Sequence, residues 1–143
     1  ALHRARETLA LPQSAPPSDP PPEVLREYVR SWEERDLDAL VGLLRDDVVF
    51  AMPPHATWFR GERVGAFFRG ERLAKGFWAR PRRVLPTRAN GQLALAFYAG
   101  DESGFARHSI QVVDFAADRV AQAIQFVGAD YLRGFEVPER LGP

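Results

Sequence analysis

Apolar residues recur at three- and four-residue spacing from Glu23 to Arg35, where Val24, Leu25, Tyr28, Val29 and Trp32 make one stripe. That is the period of a helix with one buried face. A shorter helix is predicted from Leu37 to Leu44, with Asp36 placed as its N-cap. Val48 to Met52 has the length and β-branched character of a strand, ended by Pro53, Pro54 and His55. Thr57 to Phe59 can pair as another short strand. After Gly61 the helical period returns from Glu62 to Leu73, with Val64, Phe67, Phe68 and Leu73 on the inner side.

The pattern then changes to that of strands. Arg82 to Ala89, Leu93 to Ala99, Ala106 to Phe115 and Val120 to Val127 are rich in β-branched and aromatic residues. Asn90-Gly91 between the first two is a strong hairpin signal. Asp101 to Gly104 and Ala116 to Asp118 supply the next turns, so an antiparallel meander is expected. Asp130 to Phe135 predicts a last helical turn, and Pro138 to Pro143 a loose tail. Two helices, a strand, a helix and a meander give an α+β order: a cone-shaped, curved antiparallel sheet packed on three helices.

Ahead of this body the pattern differs. Leu2, Ala5 and Leu9 have helical spacing, and six prolines fall between Pro12 and Pro22. Proline fixes φ and lacks a backbone donor, so this stretch predicts a semi-extended linker. The expected organisation is a helix end over 1–11, a linker over 12–22, a domain over 23–137 and a tail over 138–143.

Composition narrows the function classes. Lysine plus arginine and aspartate plus glutamate each number 19, giving zero formal charge, whereas phosphate-binding surfaces need a basic excess. Nucleic-acid binding by these residues alone is therefore not expected. There is no cysteine, which removes disulfides and zinc-thiolate sites. No stretch approaches the about 18 apolar residues of a membrane span. A cytoplasmic protein without cofactor, metal or membrane partner is the expectation.

The order of elements resembles the fold of nuclear transport factor 2 and ketosteroid isomerase, and the local sequence is similar to its SnoaL-like branch. The carriers are Trp32-Glu33-Glu34-Arg35-Asp36-Leu37-Asp38-Ala39-Leu40, the strand Asp46 to Pro54, and Trp58-Phe59-Arg60-Gly61. Pro86-Thr87-Arg88-Ala89-Asn90-Gly91-Gln92 resembles the hairpin of a subgroup fused behind an extracytoplasmic-function sigma factor. Leu2-His3-Arg4-Ala5-Arg6-Glu7-Thr8-Leu9 is similar to the end of sigma region 4. The resemblance implies RNA polymerase core and promoter DNA as partners, reached through sigma domains missing from this chain.

In isomerase-like members of the fold a carboxylate in an apolar cone shuttles a proton. Within the four main strands the only acid is Asp114, near a strand end where it suits a turn. Asp130 suits a helix cap. No catalytic residue is assigned. The pocket candidates are His55, Trp58, Phe68, Trp78, Asn90, His108, Gln111 and Gln125. Each aromatic has a simpler reading as core, and a lone histidine serves packing more often than chemistry. Strand alternation puts His108 and Gln111 on opposite faces unless a bulge intervenes.

Three functions compete. The first is a regulatory, ligand-sensing domain of a sigma factor holding a small apolar ligand. The second is a small-molecule enzyme of the polyketide cyclase or ketosteroid isomerase type, which requires a buried carboxylate or a His55–carboxylate pair. The third is homodimerisation through the outer face of the sheet.

Overall fold

A computed structural model describes residues 19–143. The region-4-like segment and most of the proline-rich stretch lie outside the described residues. Helix α1 runs Pro22–Glu33, with proline in its first turn, where no backbone donor is needed, and Glu23 beside it. The chain turns at Arg35, whose φ is +56°. Asp36 then caps α2 (Leu37–Gly42), its side chain accepting from the Ala39 amide at 3.2 Å.

Strand β1 (Leu44–Ala51) and the short β2 (Trp58–Arg60) follow. The helix expected over Glu62 to Leu73 is two: α3 (Glu62–Arg69) and α4 (Glu71–Lys75). They break at Gly70, whose backbone is extended, and glycine is a weak helix former. The strands β3 (Arg82–Ala89), β4 (Gln92–Asp101), β5 (Gly104–Ala116) and β6 (Arg119–Val127) form the meander. Asn90 and Gly91 have φ of +53° and +81°, as a two-residue hairpin turn of the favoured twist demands.

The order across the sheet is β2-β1-β6-β5-β4-β3. The meander is antiparallel throughout, but β1 lies parallel to β6, with Phe50 opposite Ala123. The long excursion between β1 and β6 imposes no hairpin, so a parallel pairing is accessible. The sheet is thus mixed, curved and open.

Its inner face packs on α1 and α3. Trp32, 2% exposed, is the hub: its ring lies 5.2 Å from Phe68 and from Phe97, and stacks on Trp78 at 5.5 Å. Such offset and edge-to-face pairs add to the burial itself. The edge strand β3 is tied to α1 by Glu33, whose carboxylate accepts from the Val84 amide at 2.8 Å.

The C-terminal segment is ordered rather than loose. A helical turn at Ala129–Leu132 places Leu132 against Ala94, Ala96, Tyr98 and Ile110 on the outer face of the sheet. Arg140–Leu141 then forms β7, pairing with Phe105 and Ala106 beyond the end of β6. Tyr98 donates from its hydroxyl to the Pro138 carbonyl at 2.6 Å, and Arg140 reaches Asp101 at 2.8 Å. Backbone and side-chain bonds, together with Leu141, overcome the tail's prolines. Among the described residues no helix is long and apolar enough to cross a membrane.

Candidate functional site

A cavity of about 400 Å³ opens between the inner face of the sheet and the loops around α4. One wall is apolar: Trp32, Phe50, Met52, Leu73 and Phe77. The other is polar: His55, Arg72, Arg80, Arg82, His108 and Gln125. Its size and mixture suit a small organic molecule. Among the described residues no carboxylate lines it.

A bulge in β5 builds the polar wall. Phe97 pairs with Ser109 and Tyr98 with Arg107, so His108 is the extra residue. Two successive side chains, His108 and Ser109, are thereby brought to the inner face, and the face of Gln111 is that of Ser109. The alternation conflict between His108 and Gln111 is resolved in this way.

The inner polar groups form a single chain of hydrogen bonds. The Tyr28 hydroxyl donates to Gln111 Oε1 at 2.7 Å, and Gln111 Nε2 donates to Gln125 Oε1 at 2.7 Å. Gln125 Nε2 donates to Ser109 Oγ at 2.7 Å, and Ser109 Oγ lies 2.9 Å from His108 Nδ1. Ser109 Oγ, with one hydrogen and two lone pairs, pairs with either tautomer of the His108 ring. Burial, helped by Arg82 and Arg80, pushes the His108 pKa down to about 4, so the ring is neutral near pH 7. Burial likewise pushes the Tyr28 phenol up. The chain is a fixed, uncharged support for the cavity.

Arg82 is the charged group of the site. It is 6% exposed, and its guanidinium sits 4.0 Å from the centre of the Phe77 ring. Nε and Nη2 both donate to the Phe77 carbonyl, at 2.9 and 2.6 Å, while buried Nη1 has no hydrogen-bond partner among the described residues. Burial, then the neighbouring Arg80, lowers its pKa to about 10, which still leaves it charged near pH 7. Arg80 bonds the Gly100 carbonyl through Nε at 2.8 Å, and both it and Arg72 are exposed at the rim.

The candidates from sequence separate clearly. His55, His108 and Gln125 meet at the cavity, and Gln111 supports them from behind. Phe68 and Trp78 are core residues behind Trp32, with the Trp78 indole donating to the Phe68 carbonyl at 3.2 Å. They do not line the cavity, because their contacts with Trp32, edge-on for Phe68 and stacked for Trp78, hold them in the core. Trp58 is 54% exposed on the edge strand β2. Asn90 is at the exposed hairpin tip, where its positive φ serves the turn. Both are remote in role from the site. Asp114 is buried on β5 away from the cavity and accepts from Gln92 Nε2, so it serves no turn alone.

The three arginines are what sequence reading missed. Arg82 shares the parity of buried Val84 in β3, so its place on the inner face was readable from alternation. A second depression, about 550 Å³ between β1 and α3, carries Arg45, Asp46, Glu62 and Arg69. Its mixed charges give it no single sign for a ligand to complement. Among the described residues no three histidine, aspartate or glutamate side chains gather as a metal site.

No family model matches the chain. Over 140 residues, 98% of its length, it is 28% identical to the extracytoplasmic-function RNA polymerase sigma factor SigG of Mycobacterium tuberculosis, and it spans 38% of that protein's length. An NTF2-like protein of unknown function from Burkholderia xenovorans superposes with a TM-score of 0.56 at 16% identity, over 81% of this chain and 85% of that one. A SnoaL-like protein of unknown function from Burkholderia thailandensis gives 0.53 at 23% identity, over 74% and 92%. The chain therefore has the NTF2-like, SnoaL-like fold and is similar along nearly all of its length to part of an extracytoplasmic-function sigma factor.

Proposed function

We propose that this chain is the regulatory, ligand-sensing part of an extracytoplasmic-function sigma factor, modulating transcription initiation by the sigma core. The observation that carries this reading is the similarity to SigG over 98% of the chain, joined to a cavity with apolar and polar walls. RNA polymerase core and promoter DNA are engaged by sigma regions outside these residues, and the setting is the cytoplasm. Occupation of the cavity alters how the domain rests on those regions, which biases the population competent for initiation.

A cyclase- or isomerase-type enzyme would use a desolvated carboxylate as its base. The cavity offers His55, His108, Gln125 and three arginines but no carboxylate, which favours holding a ligand over abstracting a proton. A homodimer through the outer face meets an obstacle in residues 129–141, which already cover part of that face.

The test compares transcription by the full-length sigma factor with a version ending at the proline-rich segment. The reading expects a change in promoter-specific transcript yield or in its response to ligand. Equal yields from both, with and without ligands that bind the domain, would overturn it.

A further inference from the structure

We propose that the cavity binds a small organic acid, its carboxylate held by the Arg82 guanidinium and its apolar body lying against Trp32, Phe50 and Phe77. This deepens the sensing reading by naming the ligand's chemistry, and it rests on the cavity being the sensing site.

Charge is the first argument. The chain as a whole is neutral, yet the cavity gathers Arg72, Arg80 and Arg82 with no acidic residue among the described residues of its wall. Like charges confined beside low-dielectric walls focus a positive potential into the space between them. A cationic ligand is repelled there, and a neutral one leaves the field uncompensated.

Hydrogen bonding is the second. Elsewhere on the molecule arginines are satisfied by acids: Arg30 by Glu27, Glu34 and Asp36, Arg88 by Asp19, Arg140 by Asp101. Arg82 is the more deeply buried, and it has only one carbonyl for two of its nitrogens. Among the described residues Nη1 has no partner, and it is closed to water until the surrounding side chains yield to a ligand. A buried donor in this state is costly, and a charge-assisted bond to an oxyanion is the strongest way to relieve it.

The third argument is shape and the rest of the lining. His108 belongs to the same lining, its Nδ1 engaged by Ser109 Oγ at 2.9 Å. Trp32, Phe50, Met52, Leu73 and Phe77 add an apolar surface that an inorganic anion could not use. Phosphate or sulfate would satisfy the guanidinium but leave this wall against water. An acid with an aromatic or aliphatic body uses both walls, and about 400 Å³ is at the small end of ligand sites. Nucleic acid is too large for the same space.

The experiment is calorimetric titration of the chain with 2-naphthoate, indole-3-acetate and octanoate, each paired with its neutral amide. At least one acid is expected to bind more tightly than about 1 mM and tenfold or more above its amide. Arg82→Gln should bring that acid down to the affinity of the amide. Should Arg82→Gln fail to fold by circular dichroism, Arg72→Gln combined with Arg80→Gln carries the same test at exposed positions. There the acid should weaken threefold or more, with a flatter dependence on salt, and the amide should not change. Failure of all three acids to bind, equal binding of acid and amide, or a preference that survives the arginine substitutions would each overturn the proposal. Because the titration needs no polymerase, its failure beside a clear effect of truncation on transcription would leave the regulatory reading intact. Acid binding without any such effect would do the reverse.

Discussion

The two faces of the sheet are finished in opposite ways. On the outer face Ala94, Ala96, Tyr98 and Ile110 are closed over by the chain's own Leu132, Phe135, Val137 and Leu141. Hydrogen bonds from Tyr98 and Arg107 to the carbonyls of Val137 and Pro138 hold that cover in place. On the inner face the aromatic packing around Trp32 stops short of the wide end, leaving a cavity with a buried cation in its wall. One face is sealed by the chain's own C-terminal segment, the other left open with its polar groups fixed in advance. Fixed donors around an open space are the arrangement that recognises a ligand at low reorganisation cost.

The largest expected effect lies at the inner hub. Trp32→Ala removes a 2%-exposed ring that touches Phe68, Phe77, Trp78 and Phe97, and should cost about 3–5 kcal/mol in urea unfolding. A cost below 1 kcal/mol would mean the inner face is not organised around it.

The outer cover should yield to a smaller change. Gly104 has φ +135°, and a Cβ there would lie 2.3 Å from the Leu141 carbonyl oxygen. Gly104→Ala should unseat β7 and cost about 1–3 kcal/mol. Hydrogen exchange should show protection lost across residues 129–141 while β6 and the Tyr28–Gln111 contact remain protected. Uniform loss over both faces would contradict their independence.

Tyr98→Phe removes only the hydroxyl that bonds Pro138 at 2.6 Å, and about 1 kcal/mol of stability should go with it. No change in the unfolding midpoint would show that this bond does not secure the cover.

The remaining effect is one of pH. His108 titrates at about 4 when folded and near its ordinary 6.5 when unfolded. The unfolded chain therefore binds the extra proton first, so this residue's contribution is full above 6.5 and is lost as pH falls towards 4. Asp101, held down to about 2 chiefly by Arg140, acts below that window. His108→Gln should flatten the decline in melting temperature between pH 6.5 and 4. An unchanged slope would show that the ring is not held neutral by its surroundings.

Much of the architecture is written in local pattern. The stripe Val24 to Trp32, the Asp36 cap and the Asn90-Gly91 turn each specify their element through short-range chemistry. The ends of β3 were legible to the residue because the hairpin fixes its register. What local pattern does not encode are the long-range events. The parallel pairing of β1 with β6, the bulge at His108 and the docking of Arg140–Leu141 all depend on partners distant in sequence. The site suffered most from this. His55, His108 and Gln125 were visible as polar residues near apolar ones, but Asn90 looks the same in sequence and lies elsewhere, and Trp58 reads like any other aromatic of its cluster. Arg82 reads as a solvated charge until its strand is known to face inward.

The central claim is that the inner face, through Arg82, is where this domain meets its ligand. Titrating an isotopically labelled chain with the tightest-binding acid, and following backbone amides and the Arg82 Nε–H by nuclear magnetic resonance, tests it most directly. The account predicts shifts concentrated at Arg82, Phe77, His108 and Gln125, with Ile110, Tyr98 and Leu132 unmoved. Shifts confined to those outer residues, or none at saturating acid, would contradict it.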